Sequence, residues 1–105
     1  MTQYCITYLG GDHPSDPEEG KKHFAKYMEW IGSLGTAAIS PMNPLKNTNT
    51  ISSDRSVSEG GTSTMSGYTI IEADSMDEAL SLAKACPFLD VNGTLEVSEL
   101  VQMGG

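Results

Sequence analysis

Two helix-start signals, each just after a segment of strand character, constrain the fold of this 105-residue chain more than any other feature. Residues 16–19 (DPEE) offer a capping aspartate, a proline suited to the first helical position and two acidic side chains near the positive end of the helix dipole. Residues 75–78 (SMDE) form a capping box. β-Branched and aromatic residues dominate segments 2–9 and 67–73, which precede these signals. The chain is therefore predicted to contain two strand-then-helix units.

Both helices are predicted to be amphipathic. In the first, large apolar residues recur at steps of three and four, the period of one helical face: Phe24, Tyr27, Met28, Ile31 and Leu34. This helix is expected to end near Gly35, because glycine accepts the left-handed conformation common just past a helix end. The same spacing predicts that the second helix buries Met76, Ala79, Leu80, Ala83 and Cys86. It should end before Pro87.

The rest of the chain is predicted to add strands. A short strand is expected over residues 36–40, broken by the prolines that follow. Residues 43–66 are polar, yet a structureless loop of that length is uncommon inside a domain. We therefore expect strands at 48–53 and 55–58, with a turn at 59–61. A last strand is predicted over 93–103.

The resulting order is the βαββαβ pattern of a ferredoxin-like α+β sandwich, with an antiparallel sheet and two helices on one face. Residues 1–105 are predicted to form this as a single domain, with 43–66 as a polar loop or hairpin region. One sheet face would stay uncovered. An apolar face of that kind needs a partner, so a homodimer with sheet packed against sheet is expected.

Composition disfavours several classes of partner. Six basic residues stand against fourteen acidic ones, and the net charge of −8 disfavours binding to nucleic acid or to a membrane surface. No apolar run approaches the roughly 20 residues needed to cross a bilayer. The first ten residues lack signal-peptide features, which predicts a cytoplasmic protein. Cys5 and Cys86 have no CxxC spacing and are more typical of two buried thiols than of a disulfide.

Four segments, taken in order, carry a resemblance to a known family: TQYCITYLGG, HFAKYMEWIGSLG, GYTIIEADSMDEALSLAKACP and GTLEVSEL. Together they resemble the YCII-related family, also called the DGPF family, of the dimeric α+β barrel superfamily. Residues 57–62 (VSEGGT) stand where the family has its Asp-Gly-Pro-Phe motif, so no role is transferred through that motif. The resemblance implies a ferredoxin-like dimer with a pocket between the first helix, the sheet and the connecting loops.

The resemblance also implies site residues. Some members of the family carry a His and Asp pair proposed as an active site, and one branch dechlorinates a muconolactone. The family's helical histidine falls on His23, and its acidic residue after the first strand falls on Asp12. The resemblance therefore implies an acid–base pair formed by His23 and Asp12.

The residues themselves leave two interpretations of His23. At about 100° per residue, His23 lies on the same flank of the helix as Tyr27, Trp30 and Leu34. It could enter a substrate cleft walled by Tyr27 and Trp30, with a carboxylate orienting its ring. Alternatively, it is a half-exposed histidine, and the two aromatic residues belong to the core. His13, in loop 10–14, is either a further pocket residue or a solvated loop histidine.

Neither a cofactor nor a metal is predicted. Asp12, His13 and His23 are suitable ligand types, but their spacing matches no ligand motif. Cys86 lies near a helix C-terminus, where the dipole opposes a thiolate. Two functions stay open. One is a small lyase or isomerase that uses His23 and Asp12 on a small organic acid or lactone. The other is a non-catalytic dimeric module that binds a small ligand or a protein.

Overall fold

The computed structural model describes residues 2–12 and 15–101. The strands are β1 Thr2–Gly10, β2 Ala38–Pro44, β3 Asn49–Ile51, β4 Val57–Glu59, β5 Met65–Ala73 and β6 Gly93–Glu99. The helices are α1 Pro17–Leu34 and α2 Met76–Lys84, followed by 3₁₀ turns at Gly35–Ala37 and Pro87–Val91 respectively. Four strands form one antiparallel sheet in the order β2-β5-β1-β6. This is the ferredoxin-like arrangement, and the predicted fold class is confirmed.

One face of this sheet carries the core. Strict alternation along β1 buries Tyr4, Ile6 and Tyr8 and leaves their neighbours half-buried. Both helices pack against this face through Trp30, Leu34, Ala79 and Ala83. The indole Nε1 of Trp30 donates to the backbone oxygen of Leu82 at 3.0 Å, which joins α1 to the end of α2. The two helices therefore form one layer over the sheet, as predicted.

The start of α1 follows the local chemistry of its sequence. Asp16 is the N-cap, and its carboxylate accepts a hydrogen bond from the backbone N–H of Glu19 at 2.8 Å. The Glu19 carboxylate accepts from Ser15, not from the N–H of the cap residue. The helix ends at Leu34 as predicted, but Gly35, with φ of 55° and ψ of −127°, has a positive-φ conformation other than the left-handed helical one that was expected.

The buried stripe of α1 differs from the predicted one. Phe24 and Met28 are 53 % and 42 % exposed, whereas Trp30 is buried. At 100° per residue, Phe24 and Met28 lie about 80° and 120° around the helix from Leu34. The sheet covers only the flank centred near Leu34. Spacing alone therefore marked five apolar positions as buried, although the contact surface reaches only some of them.

Strand β2 extends beyond its predicted end. It continues through Pro41 to Pro44, although a break at these prolines was predicted. β2 is the edge strand of the sheet, where a missing N–H costs no ladder hydrogen bond. Its pairing with β5 shifts register twice between Ala38 and Asn43. These shifts let the carbonyl of Pro41 accept bonds from the core side of the sheet, as described below.

Strands β3 and β4 form an exposed two-stranded hairpin. Residues 52–56 make its turn, in which Arg55 has a φ of 73°. Strands were predicted here, and the turn predicted at 59–61, after the second strand, coincides with a bend at Gly60, whose φ is 87°. The radius of gyration is 15.3 Å, above the roughly 13 Å expected for a compact chain of this length. Because β3 and β4 form a sheet separate from the main one, and their Ile51 and Val57 side chains are 71 % and 67 % exposed, the hairpin projects from the main sheet as an arm.

The helix-free face of the sheet is mixed in character and not apolar as predicted. Its half-buried side chains include Cys5, Thr7, Tyr68 and Ile70, and Glu72 shares the same face. The physical reason is the alternation of β1 and β5, which places the largest apolar residues on the helix side. The last strand ends at Glu99; the predicted extension to 103 runs beyond the described residues. Within the described chain, no helix combines the length and apolarity that a membrane span requires.

Candidate functional site

A cavity of about 180 Å³ opens between α1, β2 and the start of β5, and we call it the His23 cavity. Its walls are mainly apolar. The lining residues are Tyr8, His23, Tyr27, Met42, Asn43, Pro44, Ser66, Gly67 and Phe88. A cavity of about 150 Å³ can hold benzene. The His23 cavity is therefore large enough for one small ring with few substituents.

Helix α1 brings His23 to this cavity together with Tyr27, one turn further along. Both side chains are half-buried and lie on the flank of α1 that faces the sheet. The His23 imidazole has no hydrogen-bond partner within residues 2–12 and 15–101. An unpaired imidazole at an apolar cavity can exchange a proton with a bound molecule near neutral pH.

Three hydroxyl groups meet at the base of the cavity and form a hydroxyl cluster of Tyr8, Tyr27 and Thr69. Thr69 and Tyr27 donate to the backbone oxygen of Pro41 at 2.7 and 3.0 Å. The Tyr8 oxygen lies 2.6 Å from that of Tyr27 and 2.5 Å from that of Thr69. Each hydroxyl has a single proton. With two protons directed at Pro41 and the third within the cluster, none is free for a ligand.

Burial controls the protonation of two further groups in this region. Desolvation raises the pKa of the Tyr8 phenol far above its ordinary value, and only the hydrogen bond with Thr69 opposes it. Desolvation likewise raises the pKa of the buried Cys86 thiol. Both groups therefore stay protonated at neutral pH. Neither a Tyr8 tyrosinate nor a Cys86 thiolate is available to the site.

The stability of the fold is expected to fall as pH rises past about 9 to 10. The unfolded chain releases the Cys86 and Tyr8 protons near the ordinary pKa values of 9.0 and 10.0, while the folded chain retains both. The unfolded state then binds fewer protons, so the free energy of unfolding decreases with pH. Thermal midpoints measured between pH 7 and 10.5 test this. Tyr8→Phe should flatten the decrease, and an unchanged slope in that variant would contradict the assignment to Tyr8.

Phe88, in the 3₁₀ turn after α2, forms another wall of the cavity. Its ring centroid lies 5.2 Å from that of Tyr8, with the planes tilted by 57°. A Cβ atom on Gly93 would lie 2.2 Å from a Phe88 ring carbon, and one on Gly11 would lie 2.7 Å from the ring. The two glycines therefore leave the space that the Phe88 ring occupies beside the cavity.

The structure brings together only some of the residues proposed from sequence. His23 and Tyr27 line the cavity. Trp30 does not line it: the indole is 5 % exposed and belongs to the core, because its flank of α1 faces α2. Asp12 is exposed, and its carboxylate accepts from the Asn92 amide at 2.6 Å. His13 lies outside the described residues.

No bond between Asp12 and His23 is present among the described residues, so their pairing stays a prediction. The same residues contain no group of three or more His, Cys, Asp or Glu side chains placed to hold a metal ion.

No protein-family model matches the chain, and no curated protein matches its sequence. A similar solved structure is 5-chloro-2-hydroxyhydroquinone dehydrochlorinase (TftG) from Burkholderia phenoliruptrix AC1100, in complex with 2,5-dihydroxybenzoquinone. The two share a TM-score of 0.60 and 18 % identity over 95 % of this chain and 94 % of that one. This likeness shows the ferredoxin-like fold, and the dimeric α+β barrel superfamily stays a prediction. Membership of the YCII-related family stays a prediction.

Sequence reasoning missed most of the cavity wall. Tyr8 and Thr69 were recognised only as strand residues, although alternation from Ile6 and Ile71 places both on the helix side of the sheet. That alternation was the available signal. For Phe88 the sequence carried no such signal, because this residue lies in a 3₁₀ turn just after a proline. Its position depends on Gly11 and Gly93.

Proposed function

We propose that this chain is a small-molecule enzyme of the lyase or isomerase type. In it, His23 transfers a proton on a small cyclic organic acid, lactone or hydroxylated quinone. The observation that carries the proposal is the His23 imidazole, which has no partner among the described residues and lines an apolar cavity sized for one ring. Histidine changes charge near neutral pH, so it can serve as both base and conjugate acid.

The proposed reaction begins with proton abstraction from a ring carbon next to a carbonyl group. The C–H bond breaks, an N–H bond forms on His23, and the electron pair becomes a new double bond. In a lyase, a leaving group such as chloride departs with its own bonding pair. In an isomerase, the imidazolium returns the proton to another atom. The similar structure, a dehydrochlorinase bound to a quinone, supports this class of reaction and ligand.

In the proposed acid–base pair, we assign Asp12 a smaller role than His23. It lies just past the end of β1, where the Asn92 amide holds its carboxylate. An exposed carboxylate that does not touch the imidazole acts on it only through a field that solvent and salt screen. Asp12 would therefore orient the ring only through a contact that is not formed here.

The second candidate function is a non-catalytic module that binds a small ligand in the same cavity. The lack of a carboxylate bonded to His23 among the described residues favours this alternative, because catalytic histidines are commonly oriented by such a partner. The two functions differ in one observable. An enzyme converts the molecule that it binds, whereas a binding module releases it unchanged.

The decisive experiment supplies the protein with 5-chloro-2-hydroxyhydroquinone and, separately, with a chlorinated muconolactone. Chloride release and ring-proton signals in the NMR spectrum are followed against a protein-free control. We expect conversion of at least one compound above the uncatalysed rate. Binding of 2,5-dihydroxybenzoquinone without conversion of either compound would favour the binding module.

We also propose that the chain forms a homodimer, while a cytoplasmic location stays a prediction. Two features support the dimer: the sheet face without helices, and the projecting hairpin on which Ile51 and Val57 are 71 % and 67 % exposed. These two side chains lie directly opposite each other across β3 and β4. A second copy of the chain could cover both surfaces.

The dimer predicts a molecular mass in solution of about twice the 11.2 kDa of one chain. Light scattering coupled to size-exclusion chromatography measures this directly. Ile51→Thr should weaken the association if the arm takes part, whereas Leu89→Thr, in the 3₁₀ turn outside the arm and 40 % exposed, serves as a control at another exposed apolar position. A mass near 11 kDa for the unmodified chain at micromolar concentration would contradict the proposal.

A further inference from the structure

Ser66 is the extra residue of a β-bulge at the edge of the His23 cavity. On β1, Tyr8 pairs with Gly67 and Leu9 pairs with Met65, so Ser66 has no partner on that strand. Regular alternation would place Ser66 on the sheet face opposite to Gly67. A bulge interrupts alternation and redirects the side chain of the extra residue. Ser66 is exposed and is one of the residues that line the cavity, beside Gly67.

The position of this bulge is closely determined by the neighbouring strand. A Cβ atom on Gly67 would lie 2.9 Å from the backbone oxygen of Asn43 and 3.3 Å from the Cα of Pro44. The backbone of β2 therefore approaches β5 as closely as a glycine allows. The backbone N–H of Leu45 also donates to the Ser66 carbonyl at 2.9 Å. These contacts hold Ser66 at a defined place on the cavity wall.

Most polar side chains of the cavity already have hydrogen-bond partners. The Asn43 amide donates to the backbone oxygens of Ser40 and Tyr68 at 3.0 and 3.2 Å. The phenols of Tyr8 and Tyr27 belong to the hydroxyl cluster. Within the described part of the chain, this leaves the His23 imidazole and the Ser66 hydroxyl as the lining side-chain groups without a hydrogen-bond partner.

We propose that Ser66 is a second polar contact of the ligand and selects a small ring that carries a further oxygen besides the one near His23. This inference rests on the proposed function and narrows its substrate class. A serine hydroxyl both donates and accepts, so it suits a carbonyl or a hydroxyl oxygen. Met42, Pro44 and Phe88 are apolar and supply contacts for the ring itself. The preferred substrates are thus rings with two oxygen substituents. Rings with one oxygen substituent are expected to bind without the contact to Ser66.

The test compares the unmodified protein with Ser66→Ala and Ser66→Thr, using 2,5-dihydroxybenzoquinone and phenol as the two probes. Affinities are measured by calorimetry or by NMR titration. Ser66→Ala removes one hydrogen bond to the ligand. Its affinity for the quinone should therefore be about tenfold lower than that of the unmodified protein, and its affinity for phenol should be unchanged. Ser66→Thr retains the hydroxyl and should bind the quinone within about threefold of the unmodified protein. Ser81→Ala, on the exposed face of α2, is the matched control.

The outcomes separate this inference from the proposed function. Equal quinone affinity in Ser66→Ala and the unmodified protein would overturn the role of Ser66, even if catalysis were present. An equal loss for both probes would show a structural effect and would also overturn it. Failure of the unmodified protein to bind the quinone would overturn the ligand class. Selective loss of quinone affinity without any turnover would support the role of Ser66 and contradict the enzyme proposal.

Discussion

Replacing His23 by glutamine is expected to lower turnover by about 10²- to 10⁴-fold, the usual contribution of a general acid or base. Glutamine keeps a side chain of similar reach that can form hydrogen bonds, but it cannot exchange a proton near neutral pH. His23 is half-buried and has no hydrogen-bond partner within the described residues, so its replacement removes little packing. The thermal midpoint should therefore stay within a few degrees. Steady-state rates and circular-dichroism melting measure the two quantities.

Two matched variants make this result specific. Lys22→Gln changes the neighbouring exposed residue of α1 and should leave the rate unchanged. Asp12→Asn should lower it by less than about tenfold, since its carboxylate is held by Asn92. A rate preserved in His23→Gln would contradict proton transfer by His23. A rate and a thermal midpoint that fell together would show that His23 is a structural residue.

Replacing Gly93 by alanine is expected to destabilise the fold by about 1–3 kcal/mol, the usual cost of overpacking a filled site. The added Cβ would lie 2.2 Å from a Phe88 ring carbon and 2.6 Å from the Phe88 backbone oxygen. The ring already packs against Tyr8, with the ring centroids 5.2 Å apart, and the carbonyl belongs to the 3₁₀ turn itself. For a domain of this size, each kcal/mol corresponds to a shift of about 4–8 °C in the thermal midpoint.

Gly32→Ala is the control for this prediction. Gly32 lies inside α1, and a Cβ built there has no neighbour within 4 Å. Alanine should stabilise a helix interior by roughly 0.5–1 kcal/mol relative to glycine. The two glycine-to-alanine changes are therefore expected to shift the thermal midpoint in opposite directions. A midpoint in Gly93→Ala equal to that of the unmodified protein would show that the contact with Phe88 is not restrictive.

The same variant connects packing to the site. Phe88 both lines the His23 cavity and occupies the space beside Gly93. Displacement of its ring changes the cavity wall. Gly93→Ala should thus bind 2,5-dihydroxybenzoquinone more weakly even at temperatures where it stays folded.

Local chemistry made the helix starts predictable. The Asp16 carboxylate and the Ser75 hydroxyl each accept a hydrogen bond from a backbone N–H three residues later, at 2.8 and 3.1 Å. All the atoms in these bonds belong to one short segment. The flank of α1 on which His23 lies was predictable for the same reason, because the angular position of a residue depends only on helical geometry.

Predictions failed where the outcome depended on a neighbouring element. The spacing of apolar residues could not show that Phe24 and Met28 lie outside the contact with the sheet. It also could not show that β2 is an edge strand, where Pro41 and Pro44 are tolerated. Both outcomes follow from the position of an element in the sheet, which local propensities do not encode.

The sequence by itself determined the order of strands and helices, the capped helix starts and the placement of His23 on the inner flank of α1. Only the tertiary structure decided which residues surround His23 in the cavity. Tyr8 contacts Tyr27 and Thr69, which are 19 and 61 residues away along the chain. The bulge at Ser66 arises from the register between β1 and β5. Capping and periodicity act over about four residues, whereas the cavity is built from strands paired across most of the chain.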